Sequence, residues 1–263
     1  MSAQDHDEEL WIAARSCMFP PSSFAAGPGE VAACLRLAGT PRGGDVLDLA
    51  CGPGRHTLPL ARAGYSVVGV DRTQSYLDEL RVQLDVDGKR RGRPLNAELV
   101  LADMREFCRP GCFDLALSLY HSLGYFKEEA DNRRVLSNLF ASLRPAGVLV
   151  AQLVALESLQ RDFQPSSEVV LDDGTTLLQE RRPDDDWTWM EVCWTFARDD
   201  ERRSFDLSHR IYSAERLEEE LLAAGFQSVA LYGGFDGRAY DRTADKLVAV
   251  ARRCSESGEG QIA

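Results

Sequence analysis

Short apolar runs alternate with amphipathic stretches along the first part of the chain, and the alternation predicts a strand-helix-strand order. The strands read as Asp45 to Leu49, Tyr65 to Asp71, Ala97 to Leu101, Phe113 to Leu119 and Val148 to Leu153. Between and before them, helical spacing marks Glu8 to Cys17, Glu30 to Leu37, Arg55 to Ala63, Ser75 to Leu84 and Asp131 to Leu143. Pro20, Pro21, Gly27, Pro28 and Gly29 interrupt the lead-in, while Gly39, Pro41 and Gly64 act as helix stops. Buried strands joined by helices predict a parallel sheet covered on both faces.

After Leu153 the period changes from helical to strand-like. Glu168 to Leu171, Thr175 to Arg181, Trp187 to Ala197 and Ser204 to Tyr212 are separated by polar turns. In the third of these, Thr188, Met190, Val192, Trp194 and Phe196 share one face, with Trp187, Trp189 and Cys193 opposite. This segment reads as an antiparallel cap inserted after strand five, where it emerges over the carboxyl ends of the strands. Ser213 then caps a helix from Ala214 to Ala224, Gly225 stops it, and Gln227 to Gly233 pairs with Lys246 to Arg252 as an antiparallel closing pair. The expected division is a core of residues 1–156 and 211–253, a β cap of residues 157–210, and a flexible tail of residues 254–263.

Composition narrows the function. A chain of 263 residues with 44% hydrophobic content can bury one sizeable core with an insertion. A formal charge of -12 speaks against nucleic acid, which a protein binds through a basic face. No apolar run is long enough to span a bilayer, and the acidic start is unlike a signal peptide, so a cytoplasmic protein is expected, as a monomer or homodimer. Seven scattered cysteines fit reduced thiols, and Cys108 and Cys112 alone make no metal site.

The chemistry centres on Val46-Leu-Asp-Leu-Ala-Cys-Gly-Pro-Gly-Arg-His56, a buried strand that runs into a glycine turn and then a helix. Gly52 and Gly54 carry no Cβ and let the backbone approach a ligand, and Asp48 places an anion at the strand end. A dinucleotide site would have a third glycine where Thr57 stands. Asp71 ends the second strand, where a carboxylate can accept both hydroxyls of a ribose; a solvated strand-end aspartate is the simpler alternative. An ordinary strand-to-helix turn is the alternative for the glycine pair, and the order of elements downstream is what speaks against it.

These residues resemble motif I of the class I, Rossmann-like S-adenosylmethionine-dependent methyltransferases, with Ala50 in place of their usual first glycine. Leu143-Arg-Pro-Ala-Gly147 is similar to their turn before strand five, and the antiparallel final strand separates their seven-stranded sheet from the NAD type. The resemblance implies an α/β fold with that sheet, S-adenosylmethionine as cofactor, and a cofactor site of Asp48, Ala50, Gly52, Gly54, His56, Asp71, Arg72, Asp103, Met104 and Leu119. Within it, Asp71 takes the ribose, Asp103 the adenine amino group, and His56 helps hold the methionine part. Strand four leads into Tyr120-His-Ser-Leu-Gly-Tyr-Phe126, which carries neither the Asn/Asp-Pro-Pro-Tyr/Phe motif of amino-group enzymes acting on nucleic acid or glutamine nor the Pro-Cys of cytosine C5 enzymes.

The expected reaction is therefore methyl transfer to N or O of a small molecule, such as a secondary metabolite, as in a bacterial group with this segment, a β insertion and a Phe-Asp-Gly loop. His121 and Tyr120 are the catalytic candidates, His121 either as a base with an ordinary pKa near 6.5 or as a positioning group. Phe19, Phe24, Tyr125, Phe235 and Tyr240 are the candidates for acceptor contact, the first two on a lead-in segment that either folds over the ligand as a lid or packs on the core. A regulatory or non-methylating protein that binds the same cofactor stays open, and an NAD-dependent reductase is disfavoured by Thr57 and the closing strand pair.

Overall fold

The computed structural model describes residues 3–255. Helices α1 (Ala3–Met18) and α2 (Pro21–Ala38) lead into β1 (Asp45–Leu49), α3 (Thr57–Arg62), β2 (Ser66–Asp71), α4 (Gln74–Arg91), β3 (Ala97–Leu101), β4 (Phe113–Ser118), α5 (Glu129–Ser142) and β5 (Leu143–Val154). The insertion follows as α6 (Leu156–Arg161), β6 (Ser166–Val170), β7 (Thr176–Pro183), β8 (Trp189–Arg198), β9 (Glu201–Asp206) and β10 (His209–Arg210), and α7 (Ala214–Ala223), β11 (Ser228–Tyr232) and β12 (Lys246–Arg252) close the chain. One sheet has the order β11-β12-β5-β4-β1-β2-β3. Strands β1 to β5 are parallel to one another, and β12 runs antiparallel to both β5 and β11. The order reverses between β1 and β4, so the carboxyl ends of these strands flank the crevice where open α/β sheets take ligands. The α/β class and the antiparallel seventh strand agree with the sequence pattern.

Several boundaries differ from the pattern: α4 runs on to Arg91 where the spacing ends the helix at Leu84, β5 begins at Leu143 and not Val148, α6 is not expected at all, and three further differences have a local cause. α2 begins at Pro21 and continues through Pro28 instead of starting at Glu30. Pro21 at the helix start loses no intrahelical bond, and Pro28 gives up only one. Gly27 lets α2 lie against the turn after β1, since a Cβ there would sit 2.4 Å from the Arg55 carbonyl oxygen. Pro59 cannot donate to that same oxygen. α3 starts at Thr57, two residues later than expected, because Gly54 takes φ +94° and the turn closes through its N–H on Cys51 O at 3.1 Å. The last predicted cap strand is divided into β9 and β10, where the Ser208 N–H turns back onto Asp206 Oδ1 at 2.7 Å.

Two apolar layers sandwich the sheet. Leu139, Leu149, Leu153, Leu217 and Leu221 belong to the layer under α5 and α7, and Val46, Leu60, Leu77, Leu80 and Leu117 to the layer under α2, α3 and α4. The inserted strands form a second antiparallel sheet, ordered β10-β8-β7-β6 with β9 on β8. Its own cluster joins Met190, Val192, Phe196 and Phe205 to Leu10 and Ala14 of α1. The inward face read from the alternation of β8 is therefore the buried one for Met190, Val192 and Phe196, while Trp194 is only half-buried. The lead-in helix packs on the cap rather than on the main sheet. The expected tail lies, from residue 256 onward, outside the described residues.

Gly54 carries the tightest of these approaches, because a Cβ on it would lie 2.2 Å from Leu80 Cδ1 in a left-handed backbone. Gly54→Ala should destabilise the fold by about 2–4 kcal/mol, the sum of backbone strain and overpacking. A urea melt with an unchanged midpoint would show that the turn tolerates the methyl group.

Candidate active site

A cavity of about 570 Å³ opens at the carboxyl ends of β1 to β4 and is roofed by α1 and the cap. β1 ends in Ala50, a non-glycine residue with φ 60°, and the chain turns so that the Cys51 N–H reaches Val70 O at 3.0 Å. Gly52 lies beneath Phe19: a Cβ on it would be 2.8 Å from Phe19 Cζ. Phe19 therefore covers the glycine turn, and Leu10, Trp11 and Met18 line the cavity beside it. The turn presents a side-chain-free backbone to the cavity, which is what a closely approaching ligand needs.

Asp71, at the end of β2, accepts from the Gly52 N–H and the Thr73 N–H, both at 2.8 Å. Burial raises its pKa and outweighs the hydrogen bonds from Thr73 and Gly52 that lower it. Arg72 lies next to it on the cavity wall. After β3, Asp103 takes a bidentate pair from Arg105 (Nε to Oδ1 3.0 Å, Nη2 to Oδ2 2.8 Å) and also the Arg105 N–H at 2.8 Å. Burial works to raise the Asp103 pKa, but the Arg105 bonds win and hold it below the usual range. Arg105 lies 4.3 Å from the Phe126 ring centroid, reaches Asp131 at 3.1 Å and shares the wall with Met104.

Beyond β4, Leu119, Tyr120, Ser122 and Tyr125 line the other side. Tyr120 and His121 are both left-handed, with φ 58° and 62°, and the kink is held by Gln152, whose Oε1 accepts from the Tyr120 N–H (2.9 Å) and whose carbonyl accepts from the His121 N–H (2.9 Å). The kink turns the two side chains apart. The Tyr120 hydroxyl donates to Glu30 of α2, and Glu30 Oε2 also pairs with His56 Nε2 at 3.0 Å. Burial would raise the Glu30 pKa, yet the bonds from His56 and Tyr120 bring it down. Burial and the Glu30 carboxylate together push the Tyr120 phenol up to about 12.

His121 does not line this cavity. Its ring packs edge-on against His209 at 4.4 Å, its Nδ1 accepts the Val154 N–H at 3.3 Å, and its Nε2 lies 3.4 Å from Arg210 O. Burial, helped by the neighbouring His209, drives its pKa down to about 3.

Several other expected positions lie elsewhere. Asp48 is only 2% exposed and points into the protein, where Thr57 Oγ1 donates to it at 2.6 Å; burial raises its pKa. It ties α3 to β1, and Thr57, which spoiled the dinucleotide pattern, is its partner. Gly54 faces Leu80, and Phe24 packs with Phe19 and Arg15. Phe235 and Tyr240 sit at the far edge of the sheet, because β11 is the outermost strand. There the Phe235 carbonyl accepts from Arg36 at 3.0 Å and the Tyr240 hydroxyl donates to Glu157. Ala50, Gly52, His56, Asp71, Arg72, Asp103, Met104, Leu119, Tyr120, Phe19 and Tyr125 all line the cavity.

Sequence reasoning missed Glu30, Arg55, Arg105, Trp189 and Asp206. Glu30 lies on a helix whose start was misplaced, and Arg55 was read only as the first helical residue. Asp206 and Trp189 come from cap strands whose ends give no pattern. Arg105 was legible as the cation two residues after a strand-end acid.

A methyltransferase-domain family model matches residues 46–147, the span from β1 to the bulge in β5. An N,N-dimethyltransferase of Streptomyces venezuelae acting on dTDP-3-amino-3,4,6-trideoxy-α-D-glucopyranose is 28% identical, over 82% of this chain and 88% of its own. A glycine/sarcosine N-methyltransferase of Halorhodospira halochloris is 25% identical over 79% of this chain and 75% of its own. Among solved structures, the CcbJ methyltransferase of Streptomyces caelestis superposes with a TM-score of 0.70 at 22% identity, covering 86% of this chain and 90% of its own. With the strand order, the glycine turn and the two strand-end acids, the match makes residues 46–147 a methyltransferase domain, and the chain has the class I, Rossmann-like fold of the S-adenosylmethionine-dependent methyltransferases.

Proposed function

We propose that this enzyme methylates an amino nitrogen of a small molecule held between the sheet edge and the cap. The observation that carries this reading is the division of one cavity into two unlike halves. Along β2 and β3 stand the carboxylates Asp71 and Asp103. Under the cap stand three aromatic side chains, Trp11, Tyr125 and Trp189, with the carboxylate of Asp206. Trp11 meets Tyr125 edge-on at 5.8 Å. Aromatic faces with one acid suit an amine, which they attract by cation–π and charge interactions. The relatives named for amino sugars and for glycine or sarcosine act at nitrogen as well.

In the first half, Asp71 binds the ribose hydroxyls, Asp103 and Met104 flank the adenine, and Gly52, Ala50, Arg72, His56 and Leu119 complete the cofactor contacts. When bound, S-adenosylmethionine supplies an electrophilic methyl group on a sulfonium, which an amine lone pair takes while a neutral thioether leaves. The residues must then align the nitrogen, whose proton passes to solvent from the ammonium product, and alignment alone is worth about 7–11 kcal/mol in favourable cases. Tyr120 is suited to this task. Its proton is committed to Glu30, so its oxygen offers lone pairs to an acceptor N–H. His121 is not assigned as a base, because a ring with a pKa near 3 holds a proton too weakly at neutral pH.

Three outcomes test these assignments. Asp71→Ala should raise the S-adenosylmethionine dissociation constant at least about tenfold, through the lost hydrogen bonds to a charged group. Calorimetry showing unchanged affinity in a folded variant would refute the ribose assignment. A panel of small primary and secondary amines with matched hydroxyl analogues should release S-adenosylhomocysteine only with amines, and mass spectrometry should locate the new methyl on nitrogen. Turnover confined to hydroxyl compounds would overturn the nitrogen reading.

His121→Asn should keep kcat within about threefold, far from the 10²- to 10⁴-fold that a base supplies. It should also change acid stability. The folded-state pKa is depressed, so the neutral ring contributes stability that is fully present above about pH 6.5 and lost as pH falls towards about 3. The midpoint of thermal unfolding should therefore drop less between pH 7.5 and pH 5 in the variant than in the parent. A hundredfold loss of kcat with an erased acidic limb would restore His121 as the base.

A further inference from the structure

Among the described residues, Tyr76, Tyr120 and Tyr125 are the tyrosines that line the cavity. The hydroxyls of the first two are committed, Tyr76 to Trp11 O and Tyr120 to Glu30. The Tyr125 hydroxyl has no hydrogen-bond partner among the described residues, and burial alone pushes its phenol up to about 12. Ser118 Oγ and Trp194 Nε1 also lack partners, but they are sealed from any ligand, whereas Tyr125 lies on the cavity wall and its oxygen is not one of the sealed atoms. The residue is held from two sides. Gly124 takes φ +100° against the cap, where a Cβ would be 3.1 Å from Arg210 O, and the Gly124 carbonyl accepts the Arg210 N–H at 2.7 Å. The Tyr125 ring meets Trp11 edge-on at 5.8 Å and lies tilted to His209 at 6.5 Å.

A phenol that stays protonated at neutral pH is a donor, and a donor left unpaired when a ligand displaces water costs about 1–3 kcal/mol. The methyl acceptor must therefore bring a lone pair to it. The reacting nitrogen has one lone pair, which is spent on the methyl group, and its ammonium form has none. The lone pair offered to Tyr125 thus belongs to a second atom, and an oxygen supplies it as a hydroxyl, ether or carbonyl.

We propose that Tyr125 is a specificity-determining residue whose hydroxyl donates to an oxygen carried by the methyl acceptor, so that the preferred acceptors are amines that also bear a hydroxyl, ether or carbonyl group. The inference rests on the reading of the cap half of the cavity as the acceptor's place. The two phenols then divide the recognition between them. Tyr120, whose proton is bound to Glu30, accepts an N–H of the amine, and Tyr125, whose proton is free, donates to the oxygen. A plain alkylamine satisfies only the first and leaves a donor unpaired, which is the circumstance in which a polar site discriminates most strongly. The packing of the ring on Trp11 and the clamp on Gly124 fix the hydroxyl before the ligand arrives, so little side-chain freedom is lost on binding.

The test uses pairs of amines that differ by an ether oxygen in place of a methylene: 2-methoxyethylamine with butylamine, and 3-methoxypropylamine with pentylamine. Release of S-adenosylhomocysteine gives kcat/KM for each, and the quantity read is the ether-to-alkyl ratio in the parent and in Tyr125→Phe. The members of a pair differ in basicity as well, but that difference is the same for both proteins and cancels in the comparison. Tyr125→Phe should lower the ratio at least about tenfold for one of the two spacings. Its thermal midpoint should be no lower than that of the parent, because the substitution deletes a donor that has no partner in the protein. A ratio unchanged at both spacings, including an equal loss on ether and alkylamine, overturns the proposal, and a variant that melts clearly lower or does not fold overturns it by revealing a structural partner. Where only the matched alcohols, 2-methoxyethanol and butanol, are methylated and their ratio falls in the variant, the nitrogen reading fails and the role of Tyr125 stands. Where no pair is turned over, dissociation constants measured by calorimetry with S-adenosylhomocysteine bound replace kcat/KM, and failure of every ether to bind overturns the proposal.

Discussion

The constraint on which the rest depends is the crowding of backbone around the turn from Cys51 to His56. Three neighbours come closer to it than any Cβ would permit: Leu80 of α4 against Gly54, Phe19 between α1 and α2 against Gly52, and α2, through its own Gly27, against the Arg55 carbonyl. Each approach fixes a different part of the molecule. The α4 contact sets the packing of one sheet face, the α2 contact brings Glu30 to His56 and Tyr120, and the Phe19 contact seats the link between α1 and α2. Glycine at these positions is thus a requirement of packing as much as of ligand access.

A second feature grows from the first. Tyr120 and His121 occupy left-handed backbone at the end of β4, and such strain persists only where surrounding bonds over-determine it. Gln152 supplies two of those bonds from β5, and Glu30 supplies a third through the Tyr120 hydroxyl. The kink explains why adjacent polar residues end in different places: one phenol on the cavity wall and one imidazole behind it, edge-on against His209. Strand alternation alone would also have sent them apart, but not said which one meets the cavity.

Much of the fold was legible because its signals are periodic. The seven strands of the main sheet, the antiparallel pair at its end and the buried face of β8 all follow from alternation and helix stops. Asp71 and Asp103 were legible as strand-end acids for the same reason, and both line the cavity. Where strands end on long loops the pattern gives no aim. Asp48 points inward because Thr57 offers it a hydroxyl, a contact between residues whose facing is set by the turn and not by the strand. Phe235 and Tyr240 were placed at the right edge of the sheet yet too far along it, because the loop folds back on itself: the Gly233 N–H reaches Arg238 O at 2.9 Å. Pro28 concealed the first turns of α2, from Pro21 onward, and the facing of Glu30 towards His56 and Tyr120 with them.

The packing of α1 on the cap joins two parts of the chain that lie far apart in sequence. Leu10 and Ala14 share one apolar cluster with Met190, Val192 and Phe205, while the Tyr76 hydroxyl and Arg15 moor α1 to α4. The roof of the cavity is therefore a composite, and its two halves must change together in evolution. A cap exchanged between relatives would arrive without the helix that completes its core. Grafts made to alter acceptor choice would have to move the leading helix and the insertion as a pair, leaving the strand-end acids in place.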